Sequence, residues 1–386
     1  MSAPPRTMRA AVMVDVSDIR IETRDVPRLE PGDLLVRTAA SGVCSGDLMP
    51  WYVRRKAPFV FGHEPAGTVV AAGDVTEGEP PPFALGDRIF AHHHAPCLRC
   101  EACARGAFVH CATWRGSALE PGGMAEYFRV PRANLVDALR LPREIDVADG
   151  SLVEPLACVV KSLRRAFAVR SEPALAPLGA AATWARAMHT VPPDVVRPEP
   201  RPPLGPGLTG RTLFVIGAGV MGLMHVAVAA AAGARVVASD FNAARRALAV
   251  ALGAEAAVAP EDAEPEIRAR FGDGTEVVVC GPGAPGVMAS ALRSVAADGT
   301  LLLFTPIAPE ERFVFDQSAA YFRDLRLVAS YSCGPDETRE ALRLIVAGVV
   351  TGARLRVTEF AFPAVADAYR AMATAEVVKA VVRFPD

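Results

Sequence analysis

The apolar run Thr212 to Ile216 ends directly on Gly217-Ala-Gly219-Val220-Met221-Gly222, and the residues from Val220 to Ala232 follow with a helical pattern. A strand that turns through glycines straight into a helix opens a βαβ unit, and the text downstream repeats the alternation. Val236 to Ser239 reads as a strand, Asn242 to Leu252 as a helix, Val277 to Cys280 as a strand, Val287 to Ala296 as a helix and Leu301 to Phe304 as a strand. Strands separated by helices of this length cannot be hairpins, so they lie parallel in a sheet covered by helices. Upstream, Met8 to Val14, Ile19 to Asp25, Leu34 to Ala40 and Ala66 to Ala71 are apolar or alternating runs between Gly, Pro and Asp turns, which predicts a mostly antiparallel β domain. Val377 to Phe384 is a terminal strand able to pair back onto it.

The glycines point to a ligand. Gly217, Gly219 and Gly222 permit a tight turn, and the amides of Val220 and Met221 open a helix whose N-terminus favours negative charge, as a dinucleotide pyrophosphate requires. Asp240 ends the next strand, 18 residues after Gly222, where a carboxylate accepts from ribose hydroxyls and repels a 2′-phosphate, favouring NAD over NADP. Arg245 and Arg246 argue the other way, since an arginine there can hold a 2′-phosphate, although a salt-bridging role on the helix face is the commoner use.

Four of the eight cysteines, Cys97, Cys100, Cys103 and Cys111, follow the spacing C-x2-C-x2-C-x7-C. Four thiolates in one loop suit a tetrahedral zinc and leave no open position, so this zinc is structural. An iron–sulfur cluster is the rival, but no proline follows the last cysteine and no second set exists. His92, His93 and His94 precede the loop and read as satisfied strand-end histidines. A dispersed second set comprises Cys44 in Ser41-Gly-Val-Cys-Ser-Gly-Asp47, His63 and Glu64 in Gly62-His-Glu64, and Glu154 in Val153-Glu-Pro-Leu-Ala157. A thiolate, an imidazole and a carboxylate would hold a zinc with a position left for an alcohol oxygen. Cys158, one helical turn beyond Glu154, reads as a packed thiol.

With these motifs in this order, the sequence resembles the zinc-dependent medium-chain dehydrogenases, the alcohol, sorbitol and threonine dehydrogenase superfamily, and most closely its polyol branch, where the Glu of Glu-Pro-Leu replaces a cysteine ligand. The resemblance implies an α/β fold, a GroES-like β catalytic domain plus a Rossmann doubly wound parallel-sheet domain. It places residues 1–165 and 315–386 in the first, with a structural zinc lobe at 92–115, and residues 166–314 in the second. It further implies two zincs per chain, the catalytic one among Cys44, His63 and Glu154 with Glu64 as an alternate ligand, and Asp47 orienting His63. The family usually carries Ser or Thr two residues after the ligand cysteine and often a His three further on, as a proton relay. Here those positions are Gly46 and Met49, so Ser45, Asp47, Glu64 or water must take the proton. Met49, Trp51, Tyr52 and Phe59 are candidates for an apolar pocket wall.

The expected reaction is zinc-dependent hydride transfer between a secondary alcohol, polyol or cyclitol and NAD. Two alternatives stand beside it: an NADPH-dependent reductase of ketones or aldehydes, and a catalytically silent dinucleotide-binding partner protein. With 41 Lys plus Arg against 43 Asp plus Glu, a net charge of −2 offers no cationic field for nucleic acid or an anionic membrane. No apolar run reaches membrane-spanning length and no secretion signal is legible at the start, so the expectation is a cytoplasmic protein with reduced thiols. A homodimer or homotetramer is expected from the resemblance, with sheet edges around Leu301 to Phe304 pairing across a twofold axis. Residues Ser171 to Pro206 hold nine prolines in 36 positions, which reads as a surface insertion, or as a docking arm anchored by Trp184 and Met188; a smaller insertion lies near Glu77 to Pro82.

Overall fold

The computed structural model describes residues 4–74, 82–167 and 206–385. Most of the proline-rich stretch, with Trp184 and Met188, and most of the Glu77 to Pro82 insertion therefore lie outside the described residues. Strands β1 (Thr7–Asp15), β2 (Asp18–Asp25), β3 (Leu34–Gly42), β4 (Phe59–Val60), β5 (Pro65–Ala72), β6 (Arg88–Ala91), β7 (Tyr127–Val130) and β8 (Ala138–Arg140) come first. They are followed by β9 (Thr212–Ile216), β10 (Arg235–Ser239), β11 (Ala256–Val258), β12 (Thr275–Cys280), β13 (Val295–Leu303) and β14 (Arg326–Ala329), then β15 (Thr358–Ala361) and β16 (Ala380–Arg383).

The first group forms a small β2-β1-β4 sheet and a larger one ordered β15-β16-β3-β5-β6-β8, with β7 also paired to β3. The pairings around β3 are antiparallel, and the terminal strand does return to it, Val381 opposite Gly42 and Arg383 opposite Ala40. The second group is a parallel sheet, β11-β10-β9-β12-β13-β14, with the connecting helices Val220–Ala231, Ala243–Ala251, Ala263–Phe271 and Pro285–Ala291.

Four details depart from the sequence reading. The helix expected over 287–296 ends at Ala291, and a short turn feeds β13 from Val295, because Thr275 and Val277 of β12 offer a pairing edge there. Leu301 to Leu303 is interior to the sheet rather than at its edge, since β14 pairs beyond it. The sheet thus takes its sixth strand from residues 326–329, within the stretch expected in the catalytic domain. The helix Ala263–Phe271 was not anticipated: it reads as charged and buries only Ala263 and Ile267.

The helix Val153–Phe167 joins the two parts. One continuous core runs from Ala66 and Phe90 of the antiparallel sheet, through Val153, Leu156, Val160 and Leu163, to Leu213 and Val215 of the parallel sheet. Each of those side chains is buried, so the helix and its first-turn carboxylate Glu154 are fixed by packing on both sides. No helix among the described residues is long and apolar enough to cross a membrane.

Candidate active site

Cys44 follows β3 and caps a short 3-10 turn, Ser45–Leu48, where its sulfur accepts from the Gly46 amide at 3.3 Å. His63 and Glu64 sit between β4 and β5. Gly62 before them has φ +90°, and a Cβ there would lie 2.8 Å from the Met124 amide nitrogen, so only glycine passes this close turn. Donor atoms of Cys44, His63 and Glu64 lie within 4.8 Å of one another. Asp47 Oδ2 is 3.5 Å from His63 Nδ1, and the Asp47 backbone carbonyl accepts from Tyr369 Oη at 2.5 Å.

Glu64 also faces away from this set. Its carboxylate pairs with Lys379, whose ammonium donates to the Val43 carbonyl at 2.8 Å. Room for the pair comes from Gly42, where a Cβ would stand 1.9 Å from Glu64 Oε2. Glu154 falls into two neighbouring groups: with His92 and His93, and with Cys158 and Cys333. The structure therefore brings Cys44, His63 and Glu64 together most tightly and places Glu154 beside them.

The electrostatics fit a cation. Burial raises the Cys44 thiol and the Asp47 and Glu154 carboxyls above their ordinary values. Burial is also the largest single influence on His63 and favours its neutral form, but Asp47 and Cys44, with Glu154, outweigh it and hold the imidazole well above its usual value. Asp47 Oδ2, Glu64 Oε1 and His93 Nδ1 are buried without a hydrogen bond. Orphaned acceptors around a thiol and an imidazole are expensive unless an ion shares their charge, and S, N and O donors together suit zinc.

Of the histidines expected to be satisfied, His92 donates from Nδ1 to Asp137 Oδ2 at 2.7 Å, and His94 bonds the Ser117 carbonyl. His93 departs from that expectation. Its ring lies 4.9 Å from that of His63, and burial, with the charges of His63 and His92, keeps it well below the usual imidazole value.

The four-cysteine loop converges as its spacing predicts. The sulfurs of Cys97, Cys100, Cys103 and Cys111 lie within 4.8 Å of one another, Cys97 donates its amide to Cys111 Sγ at 3.3 Å, and Cys103 and Cys111 are buried. Against the cost of burial, the amides of Cys97 and Trp114 bring the Cys111 thiol down to about 6. This donor chemistry fits a closed structural zinc.

At the carboxyl end of β9, Gly217 has φ +89°, and a Cβ on Gly222 would lie 1.8 Å from the Gly217 carbonyl oxygen. Gly219, the residue before the helix Val220–Ala231, faces open space. Val220 and Met221 are the first two helical residues, so their amides lack intrahelical partners. Asp240 Oδ2 accepts from the Ala218 amide and Oδ1 from the Asn242 amide, each at 2.8 Å, which leaves each oxygen a lone pair for a ribose hydroxyl. The arginines are occupied, though not by a helix-face salt bridge. Arg245 Nη2 donates to the carbonyls of Ala375 and Val377, and Arg246 Nη1 to those of Asp240 and Phe241. Arg245, expected at the cofactor, is thus tied through Nη2 to the loop before β16.

Comparison with known proteins agrees with this geometry. The alcohol dehydrogenase GroES-like domain matches residues 30–142, and the zinc-binding dehydrogenase domain matches residues 220–347. The chain belongs to the zinc-binding alcohol dehydrogenase family. This dehydrogenase is 28% identical over 312 residues to the sorbitol dehydrogenase of Bacillus subtilis (strain 168), covering 78% of this chain and 75% of that one. It is 29% identical over 331 residues to the D-altritol 5-dehydrogenase of Agrobacterium fabrum, covering 84% of each. A zinc-binding dehydrogenase of Sinorhizobium meliloti, solved with NADP bound, superposes with a TM-score of 0.76 at 26% identity over 98% of this chain and 99% of that one.

The residues around the site that reading the sequence missed are Lys379 on Glu64, Asp137 on His92 and Cys333 beside Glu154. Only Lys379 left a signal: with Arg383 it is one of two cations inside the otherwise apolar run Val377 to Phe384, where a buried charge demands a partner.

Proposed function

We propose that this dehydrogenase transfers hydride between a secondary hydroxyl of a polyol and NAD, with zinc at the Cys44 site. The observation that carries the reading is the joint presence of the Cys44, His63 and Glu64 donor set with Glu154 beside it, in a chain whose parallel sheet carries an open glycine turn. The names of the sorbitol and altritol relatives support the polyol class. Cys44, His63 and Glu154 would hold the zinc, with Glu64 as alternate ligand, and the ion supplies a Lewis acid for the substrate oxygen. The nicotinamide supplies the hydride acceptor.

The remaining work falls to the chain. Asp47, whose Oδ2 lies 3.5 Å from His63 Nδ1, would orient the ring as the two close to hydrogen-bond distance, leaving Nε2 for the ion. The Gly46 amide steadies the Cys44 sulfur, so the position that lacks a relay hydroxyl still serves the site through its backbone. The relay that Gly46 and Met49 do not provide falls to Ser45, Asp47, Glu64 or water, since burial holds His93 well below the usual imidazole value and makes it a poor proton acceptor. Asp240 just after β10, with Arg245 Nη2 and Arg246 Nη1 bonded to backbone carbonyls, supports NAD over NADP. The exposed edge of β14, beside Tyr321 and Phe322, supports a homodimer.

A polyol panel with NAD and with NADP tests the reading, alongside zinc counting. Cys44→Ser and His63→Ala are expected to lower kcat at least about a thousandfold, as loss of a group acting on the reacting oxygen does. Full turnover in either variant, or a strong NADP preference, contradicts the corresponding assignment.

A further inference from the structure

Glu154 also belongs to a second set of atoms suited to a metal, whose other members, Cys158 and Cys333, the polyol reaction does not use. Glu154 and Cys158 stand one turn apart on one face of the helix Val153–Phe167, and Cys333 approaches from the segment preceding the helix Pro335–Val346. Donor atoms of Glu154, Cys158 and Cys333 lie within 4.8 Å of one another. Cys158 Sγ is 3.6 Å from Glu154 Oε1, and Cys333 Sγ is 3.5 Å from His92 Nε2. His92 and Glu154 also fall within 4.8 Å of each other.

The support behind His92 is a second, independent observation. Its Nδ1 is 2.7 Å from Asp137 Oδ2, both side chains are fully buried, and the other Asp137 oxygen accepts from Thr338 Oγ1. A carboxylate held on one imidazole nitrogen places the proton there and leaves the lone pair on the other, here 3.5 Å from Cys333 Sγ. This is the arrangement that orients metal-ligating histidines. Packing alone would be met by two apolar side chains at 158 and 333 and calls for no such backing.

We infer that Cys158, Cys333, His92 and Glu154 form a second zinc site beside the Cys44 set. Glu154, Cys158 and Cys333 lie within reach of one another, and the His92 imidazole, beside Cys333 and Glu154, would supply the fourth ligand; binding releases the two thiol protons to solvent. The shell has no open position, so its ion holds the helix Val153–Phe167 to the segment before Pro335 rather than touching substrate. Glu154 belongs to both sets, which makes the occupancy of one site felt at the other.

The test is the zinc content of the full chain by elemental mass spectrometry after gel filtration. Three zincs per chain are expected, one each for the four-cysteine lobe, the Cys44 set and this set. Cys158→Ser with Cys333→Ser should remove one zinc, Cys44→Ser should remove a different one, and the combined variant both. Unchanged zinc in the Cys158/Cys333 variant overturns the site, and so does loss of one and the same ion from either variant. A Cys44→Ser protein that keeps its zinc instead contradicts the reading of the first site, leaving this one to be judged by its own variant. Cobalt titration of the unmodified chain covers a variant that fails to fold: thiolate-to-cobalt absorption should keep rising through the third equivalent. A rise that stops at the second equivalent overturns the proposal, as does a Cys158–Cys333 disulfide in the unreduced protein.

Discussion

Lys379 and Glu64, 315 positions apart, form an ion pair in which each side chain is only 1% exposed. The pair fixes where Glu64 rests and keeps one of its oxygens away from Cys44 and His63. Removing one partner leaves the other charge buried and alone, which costs about 3–5 kcal/mol. Lys379→Met is therefore expected to destabilise by that amount in denaturant unfolding, while Lys379→Met with Glu64→Gln recovers at least half. A double variant no more stable than the single one would show that the pair contributes packing rather than charge balance.

The four-cysteine lobe makes a separate prediction. Cys103→Ser should lose one zinc per chain and lower Tm by roughly 5 °C or more, because a closed shell contributes directly to folding. The zinc at Cys44 should stay. Retention of all zinc by this variant would remove the lobe from the list of metal sites.

His225 lies on the helix that the glycine turn opens. Burial lowers it to about 4, against the bond from its ring to the Met221 carbonyl, and Ser162 Oγ lies 2.8 Å from Nε2. Because the folded value is below the unfolded 6.5, the stabilisation is complete above pH 6.5 and is lost as pH falls towards about 4. Its size is at most about 3 kcal/mol. His225→Gln should reduce the slope of Tm against pH across that window, leaving contributions of the same sign from His94, also near about 4, and from His93, held well below the usual value. An unchanged slope would place the acid sensitivity elsewhere.

Beside the outer strand β14, Tyr321 and Phe322 are 68% and 81% exposed, which is costly for neighbouring aromatic side chains unless another surface covers them. Tyr321→Asp with Phe322→Asp is expected to halve the mass measured by light scattering, with zinc content unchanged. A mass equal to that of the unmodified protein would exclude this face from the subunit contact.

What the sequence made legible follows from how locally each feature is encoded. The glycine turn, the cysteine spacing and the alternation in β1, β2, β3 and β5 are set within a few residues, and all appear where expected. The four-residue β14 was too short to register, and the helix 287–296 was overrun because apolar residues continue into β13 with no Gly or Pro until Gly299. At the candidate site, Cys44, His63 and Glu64 were found by motif. The partners that hold it, Lys379 on Glu64 and Asp137 on His92, are long-range pairings that only the folded chain brings together.

The helix Val153–Phe167, buried against both sheets, also bears on how this chain tolerates recombination. A crossover at either end of it would set an imported half against side chains shaped for other neighbours. Proteins whose domains merely touch can exchange them at the linker. Here each half shares the same interior residues, so a functional chimera must carry over the helix together with the surfaces on both of its sides, and Glu154 travels with it.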